Sequence, residues 1–249
     1  MQSVVIIPAR YGSTRFPGKP MAQISGVSLL NRVWKIAKAA KNVDEVYIAT
    51  DDKRILEHVE SFGAKAVMTK SECPNGSFRC MEAVENLKIS PDIVINLQGD
   101  AVLTPPWIIE EVINEFKKDN NVQIASPAVR LTKGSKTGGT LVVFDLKKDA
   151  LYFSRAKIPF NRDDQETVQG LHRHIGIYGY RLNALKQYVG LKPTPLEEIE
   201  KLEQLRALEN GMKIRMVIVD YKGRTHWAVD RPEDINIVEE IIKKEGELV

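Results

Sequence analysis

Val4-Val5-Ile6-Ile7-Pro8-Ala9-Arg10-Tyr11-Gly12-Ser13-Thr14-Arg15-Phe16-Pro17-Gly18-Lys19-Pro20 opens as an apolar, β-branched run and empties into a loop dense in glycine, hydroxyl and cationic side chains. A strand that delivers such a loop to the carboxyl edge of a sheet, ahead of a helix, presents backbone N–H groups and fixed positive charge, the ingredients of a phosphate cradle. Arg10, Arg15 and Lys19 are spaced so that a curled loop brings them around one polyphosphate, and Gly12 and Gly18 permit close backbone approach. On charge alone a solvated basic connection explains the loop equally well, so the rest of the chain must decide.

Downstream, apolar runs alternate with amphipathic segments. Strands are expected at Glu45 to Thr50, Ala64 to Met68 and Asp92 to Leu97, and helices near Ser28 to Ala40, Lys53 to Phe62 and Ser77 to Leu87. This is the βαβ alternation of a doubly wound α/β sheet. The run Asp92 to Leu97 is nearly all apolar, as a strand covered on both faces should be, and Pro105-Pro106 starts another helix. After residue 125 the pattern loosens, with a polar stretch at Lys133 to Gly139 and strand-like runs at Thr140 to Phe144 and His174 to Arg181. An excursion from the main sheet is expected there. The tail predicts a helix over Leu196 to Asn210 with Glu197 and Lys201 paired at i,i+4, a strand over Lys213 to Val219 and a last helix from Arg231-Pro232.

The 249 residues allow one large domain or two small ones, and 36 Lys and Arg against 33 Asp and Glu leave a net charge of only +3 without long basic runs. That argues against a nucleic-acid partner. No apolar stretch approaches the roughly 20 residues of a membrane span and no leader precedes the first strand, so a soluble, cytoplasmic protein is expected. Cys73 and Cys80 match neither a redox nor a zinc spacing and read as plain thiols.

Asp100 follows Gln98-Gly99 at the end of the apolar strand, on the edge that carries the first loop, because parallel strands point their carboxyl ends one way. A nucleotide-bound magnesium is held by one or two protein carboxylates plus phosphate oxygens. Asp230 is the second candidate, with capping of the last helix as its competing role; Asp51-Asp52 most simply cap the next helix. His174 and Tyr178 are four apart in an aromatic strand-like run and are expected on one face, able to meet a hydroxylated or carboxylated ligand. No third ligand completes a zinc set around the histidines. Arg155 is a strong carboxylate donor beside Tyr152-Phe153-Ser154, and His58 reads as a surface residue.

Over nearly its whole length the sequence resembles the bacterial 3-deoxy-manno-octulosonate cytidylyltransferases, or CMP-Kdo synthetases. The resemblance rests on Ile7 to Pro20, Ala49-Thr50-Asp51, Leu97-Gln98-Gly99-Asp100, Ala150 to Arg155 with Ile158-Pro159, Arg173 to Arg181, Leu202-Glu203-Gln204-Leu205-Arg206, and Val229-Asp230 with Pro232-Glu233-Asp234. It implies a mononucleotide-binding, Rossmann-like domain over 1–249 with a smaller dimerisation and sugar-acid-binding excursion at about 130–190, acting as a homodimer in lipopolysaccharide biosynthesis. The implied reaction joins the anomeric hydroxyl of a 3-deoxy ulosonic acid to the α-phosphorus of CTP and releases pyrophosphate. By position, Pro8, Arg10, Ser13, Arg15 and Lys19 would hold the triphosphate, Gly76, Ser77 and Arg79 the nucleotide, and Asp100 and Asp230 Mg2+, with Lys19, Asp100 and Asp230 the catalytic set. Gln98, Arg155, His174, Tyr178, Glu203 and Gln204 would hold the sugar acid.

Three positions depart from the family pattern. Ala101 stands where a glutamate usually follows Gln-Gly-Asp, Phe78 replaces an acid in the nucleotide loop, and Trp227 lies in a turn that is usually glycine-rich. These changes point to a modified acceptor such as the 8-amino analogue of Kdo or another acid, and a non-catalytic CTP-binding relative is the alternative from a different class.

Overall fold

The computed structural model describes residues 1–12, 15–132, 135, 139–164 and 167–249; Ser13 and much of the polar stretch at 133–139 lie outside the described residues. The chain forms two compact units, Met1–Glu110 with Tyr221–Val249, and Glu111–Asp220. Residues 130–190, where the excursion is expected, fall within the second unit.

The first unit begins with β1 (Ser3–Ala9), a small hairpin of β2 (Gln23–Ile24) and β3 (Val27–Ser28), and α1 (Leu29–Ala39). It continues through β4 (Glu45–Thr50), α2 (Lys53–Ser61), β5 (Lys65–Met68), α3 (Gly76–Leu87) and β6 (Ile93–Leu97). The strands lie in the order β5-β4-β1-β6 and all pairings are parallel, with Val4 opposite Glu45 on one side and Val94 on the other. Val5, Ile6, Ile7, Ile48, Ile93, Val94 and Ile95 are fully buried, which explains why these strands read as continuous apolar runs. α1, α2 and α3 each start where a short polar side chain satisfies a free N–H: Ser28 Oγ accepts from Asn31, Asp52 from Arg54 and Asn75 from Phe78. Observed bounds match the expected ones to within two residues. The parallel arrangement brings the loops after Ala9, Thr50 and Leu97 to one edge.

α4 (Pro106–Lys118) carries the chain onward. The second unit contains β7 (Ile124–Arg130), β8 (Leu141–Phe144), β9 (Ala150–Ser154), β10 (His172–His174), β11 (Ile177–Arg181), α5 (Leu182–Val189), α6 (Pro195–Glu200), α7 (Gln204–Glu209) and β12 (Ile214–Val219). β7 is its axis. β12 runs parallel to β7 in full register, β10 and β11 pair antiparallel with it, and β8 and β9 extend the sheet beyond β10. α8 (Asp234–Glu245) belongs to the first unit and closes the chain.

The structure corrects three expectations. The run His174 to Arg181 is two strands, because the Ile177 N–H turns back onto the Ile175 carbonyl at 2.7 Å, a three-residue turn that breaks the ladder. The helix expected over Leu196 to Asn210 is two short helices, since Lys201 takes a left-handed φ of 55° that ends α6. Lys201 therefore cannot pair with Glu197 at helical spacing, and Glu197 instead receives Arg206 through Nε and Nη2, both at 2.7 Å. Finally, α8 starts at Asp234, with Arg231 to Glu233 in a turn before it.

Candidate active site

In the first unit, Pro8, Ala9, Arg10, Arg15, Lys19, Pro20, Gln98, Gly99, Asp100 and Asp230 line one cavity of about 210 Å³. Two approaches build it. Gly18 takes a φ of 72° and its N–H donates to the Tyr11 carbonyl at 3.0 Å, curling the first loop back on itself. Gly99 passes so close to β1 that a Cβ there would sit 2.9 Å from the Pro8 carbonyl oxygen; only glycine lets the ends of β1 and β6 meet without displacing backbone.

Charge in the cavity is paired by sign. Lys19 Nζ donates to Asp100 Oδ2 and to the Val229 carbonyl, both at 2.8 Å, and both side chains of the ion pair are mostly shielded. Arg15 Nη1 lies 3.3 Å from Asp230 Oδ2 in a more exposed pair, and Arg10 is exposed at the rim. Asp230 is not a helix cap. Its N–H and that of Arg231 donate to Asp234 Oδ2, both at 2.8 Å, so Asp234 shapes the turn that presents the Asp230 carboxylate. Burial would raise the Asp234 pKa, but the donors from Arg231, Asp230 and Trp227 outweigh it and hold the carboxyl below its ordinary value.

Asp52 caps α2 as expected, whereas Asp51 is the ion-pair partner of Arg79 at 3.1 Å. Arg79 is only 4% exposed and also donates to Thr69 Oγ1 at 2.6 Å. Ser77 is buried and accepts from Asn96 Nδ2 at 3.2 Å, while Gln98 Nε2 donates to Asn96 Oδ1 at 3.3 Å. A Cβ on Gly76 would come within 3.0 Å of the same Asn96 side chain. Asn96 thus couples the start of α3 to the Gln98 end of β6, a role hidden in a strand, Ile93–Leu97, whose only polar member is this asparagine. Cys73 has its thiol pushed up to about 12 by burial and the hydrogen-bonded Glu82 carboxylate, so it is an unreactive thiol.

The second unit holds the other expected residues. His174 is 8% exposed and its Nε2 shares a 2.7 Å hydrogen bond with Ser126 Oγ; burial lowers its pKa to about 3, so the imidazole is neutral. Although His174 and Tyr178 stand on different strands, their rings remain 5.4 Å apart. The Tyr178 hydroxyl donates to Gln204 Oε1 at 3.0 Å, and burial, with Glu203 and Tyr188 nearby, raises its pKa well above the usual phenol value. The Glu203 carbonyl accepts from the Tyr188 hydroxyl at 3.0 Å. Arg155 is exposed, but its guanidinium is anchored at the end of α6, donating through Nε to the Glu200 carbonyl at 3.0 Å and through Nη2 to the Lys201 carbonyl at 3.3 Å.

The departures also resolve physically. The Ala101 N–H closes a tight turn onto the Gln98 carbonyl at 3.1 Å. Phe78 is half-buried in the first turn of α3. Trp227 Nε1 donates to Asp234 Oδ1 at 3.1 Å, adding an anchor to the turn before Asp230. A second cavity, of about 480 Å³, lies in the second unit beside Asp119, Lys147, Asp149, Lys213 and Arg215. Arg215 there bridges Glu115, Asp119 and Asp149, and Lys213 pairs with Asp149 at 3.1 Å. No helix among the described residues is long and apolar enough to cross a membrane.

Comparison with known proteins agrees with this geometry. A family model described as cytidylyltransferase matches residues 4–214. The chain is 50% identical to the 3-deoxy-manno-octulosonate cytidylyltransferase of Maricaulis maris (strain MCS10), over the full length of both. It is 42% identical to the 8-amino-3,8-dideoxy-manno-octulosonate cytidylyltransferase of Shewanella woodyi (strain ATCC 51908 / MS32), over 96% of this chain and 98% of the relative. Among solved structures, CMP:2-keto-3-deoxy-manno-octonic acid synthetase complexed with CTP aligns with a TM-score of 0.90 at 34% identity, over 98% of this chain and all of the other. The α/β nucleotide-binding fold expected from the sequence is therefore the fold of the chain, which belongs to the 3-deoxy-manno-octulosonate cytidylyltransferase (CMP-Kdo synthetase) family.

Proposed function

We propose that the protein transfers the cytidylyl group of CTP to the anomeric hydroxyl of a 3-deoxy ulosonic acid of the Kdo class, forming a CMP-sugar and releasing pyrophosphate. The observation that carries this reading is the cavity at the sheet edge where Arg10, Arg15 and Lys19 face Asp100 and Asp230. Phosphoryl transfer asks little covalent chemistry of a protein; it asks for positioning and for neutralisation of charge on the phosphates.

Arg10, Arg15 and Lys19 supply that positive charge beside Pro8, and the resemblance assigns Ser13 to the same triphosphate. Lys19 is held in place by the Val229 carbonyl as well as by Asp100, so it need not be ordered when the nucleotide arrives. Gly76, Ser77 and Arg79 form the base of the nucleotide side, with Arg79 fixed by Asp51. Asp100 and Asp230 offer hard carboxylate oxygens of the kind magnesium takes, and phosphate and water oxygens would complete its shell. When bound, magnesium would neutralise charge on the reacting phosphate. The resemblance assigns Gln98 of the first unit and Arg155, His174, Tyr178, Glu203 and Gln204 of the second to the sugar acid, with Arg155 the donor suited to its carboxylate. Residues 130–190 would mediate pairing of two copies.

The 8-amino analogue is the second acceptor to consider, because a relative 42% identical over most of both chains carries that name. Pyrophosphate release with CTP, magnesium and either Kdo or its 8-amino analogue decides between them. A higher kcat/KM for Kdo is expected; a higher value for the amino sugar reassigns the acceptor, and no release with either overturns the reading.

A further inference from the structure

The first loop is held from outside by a stack that no element of the cavity supplies. Arg54, on the first turn of α2, places its guanidinium carbon 3.4 Å from the centroid of the Tyr11 ring. The guanidinium is locked in that plane by Asp52, which accepts from Nε at 2.9 Å and from Nη2 at 2.6 Å while also capping α2. Tyr11 is in turn joined to the end of the loop: its carbonyl accepts the Gly18 N–H at 3.0 Å, and a Cβ on Gly18 would lie 3.3 Å from its ring. The ring therefore touches both Arg54 and the backbone at Gly18, the residue immediately before Lys19.

We propose that Asp52, Arg54 and Tyr11 form a positioning clamp for the nucleotide loop, setting where Lys19 stands in the cavity. The inference rests on the reading of that loop as the triphosphate site, and extends it to residues that do not line the cavity. Guanidinium stacking on a tyrosine face is favourable, and a planar fork already fixed by a carboxylate loses little freedom in making it. Arg54 acts here through the Tyr11 ring rather than by meeting the phosphates.

A double-mutant cycle with CTP binding and steady-state kinetics tests this. Arg54→Ala should raise the Kd and KM for CTP about two- to fivefold, the size of an exposed cation–π contact, with the acceptor KM unchanged. Tyr11→Leu should weaken CTP to a similar degree. In the Tyr11→Leu background, Arg54→Ala should add nothing. A full additional loss in that background would show that Arg54 meets the nucleotide directly, and an unchanged CTP Kd in both single variants would also overturn the clamp. Thermal melting of each variant separates loop positioning from general unfolding. Lys19→Ala serves as the control: if it leaves CTP affinity intact, the triphosphate reading fails, whereas a Lys19 effect without an Arg54 effect refutes the clamp alone.

Discussion

Gly99 shows how a single residue decides the geometry of the site. Its missing side chain lets the Gln98-Gly99-Asp100 end of β6 meet the Pro8 end of β1, and a methyl group there would press on the Pro8 carbonyl at 2.9 Å. Gly99→Ala is expected to cost about 1–3 kcal/mol as overpacking and to lower kcat/KM more than tenfold, read by thermal melting alongside kinetics, because the displaced backbone carries the cavity's carboxylate. Most cavity residues were legible in the sequence, since Arg10, Arg15, Lys19 and Asp100 carry charge in the loops that follow β1 and β6, whereas Asp230 read locally as well as a helix cap and was singled out by the resemblance. Asn96, Asp234 and Arg54 were not: each acts by holding another residue, and nothing in local spacing distinguishes such a partner from a turn or surface residue. Trp227 illustrates the converse, a conspicuous substitution whose indole N–H is engaged within its own turn by Asp234.

Among elements, β1, α1, β4, α2, β5, α3 and β6 of the first unit were read to within two residues because period, caps and apolar runs agree with one another, whereas the short β2–β3 hairpin was not read and α8 was begun early, at Arg231. The second unit was harder for identifiable reasons. β7 contains Pro127, which demotes a strand when read locally, yet it is the axis of its sheet; Pro127 is accommodated opposite the break between β10 and β11, where the Ile175 N–H reaches its carbonyl at 2.9 Å. The α6–α7 break at Lys201 replaces one long helix by two short ones tied together by Arg206. That arginine meets Glu197 with two 2.7 Å hydrogen bonds, and both side chains are largely removed from solvent. Arg206→Ala should destabilise the protein by about 2–3 kcal/mol, since it strands a shielded carboxylate. Urea denaturation checks this, and a change below about 0.5 kcal/mol would mean that Arg206 and Glu197 are effectively solvated.

For the molecule as a whole, the parallel order β5-β4-β1-β6 explains why residues far apart in sequence act together: three loops leave one edge, and the returning segment before α8 adds Asp230. The whole fold also responds to acid through the buried His174 and the half-buried His172. Burial lowers the pKa of His174 to about 3, and burial and Arg130 lower that of His172. A depressed folded-state pKa means that the unfolded chain binds the proton first, so stability is complete above about pH 6.5 and declines as pH falls toward 3, with a limiting slope near 1.4 kcal/mol per pH unit for each fully neutral histidine. His174→Gln should flatten the loss of melting temperature between pH 7 and pH 5; an unaltered slope would show that His174 is protonated in the folded protein. The central claim, cytidylyl transfer, is tested most directly by the stoichiometry of a single reaction. With CTP, magnesium and Kdo, phosphorus NMR should show one CMP-sugar phosphodiester and one pyrophosphate formed for each CTP consumed, and neither when Kdo is omitted. Free CMP or orthophosphate in place of the phosphodiester, or no consumption of CTP with either Kdo or its 8-amino analogue, would contradict it.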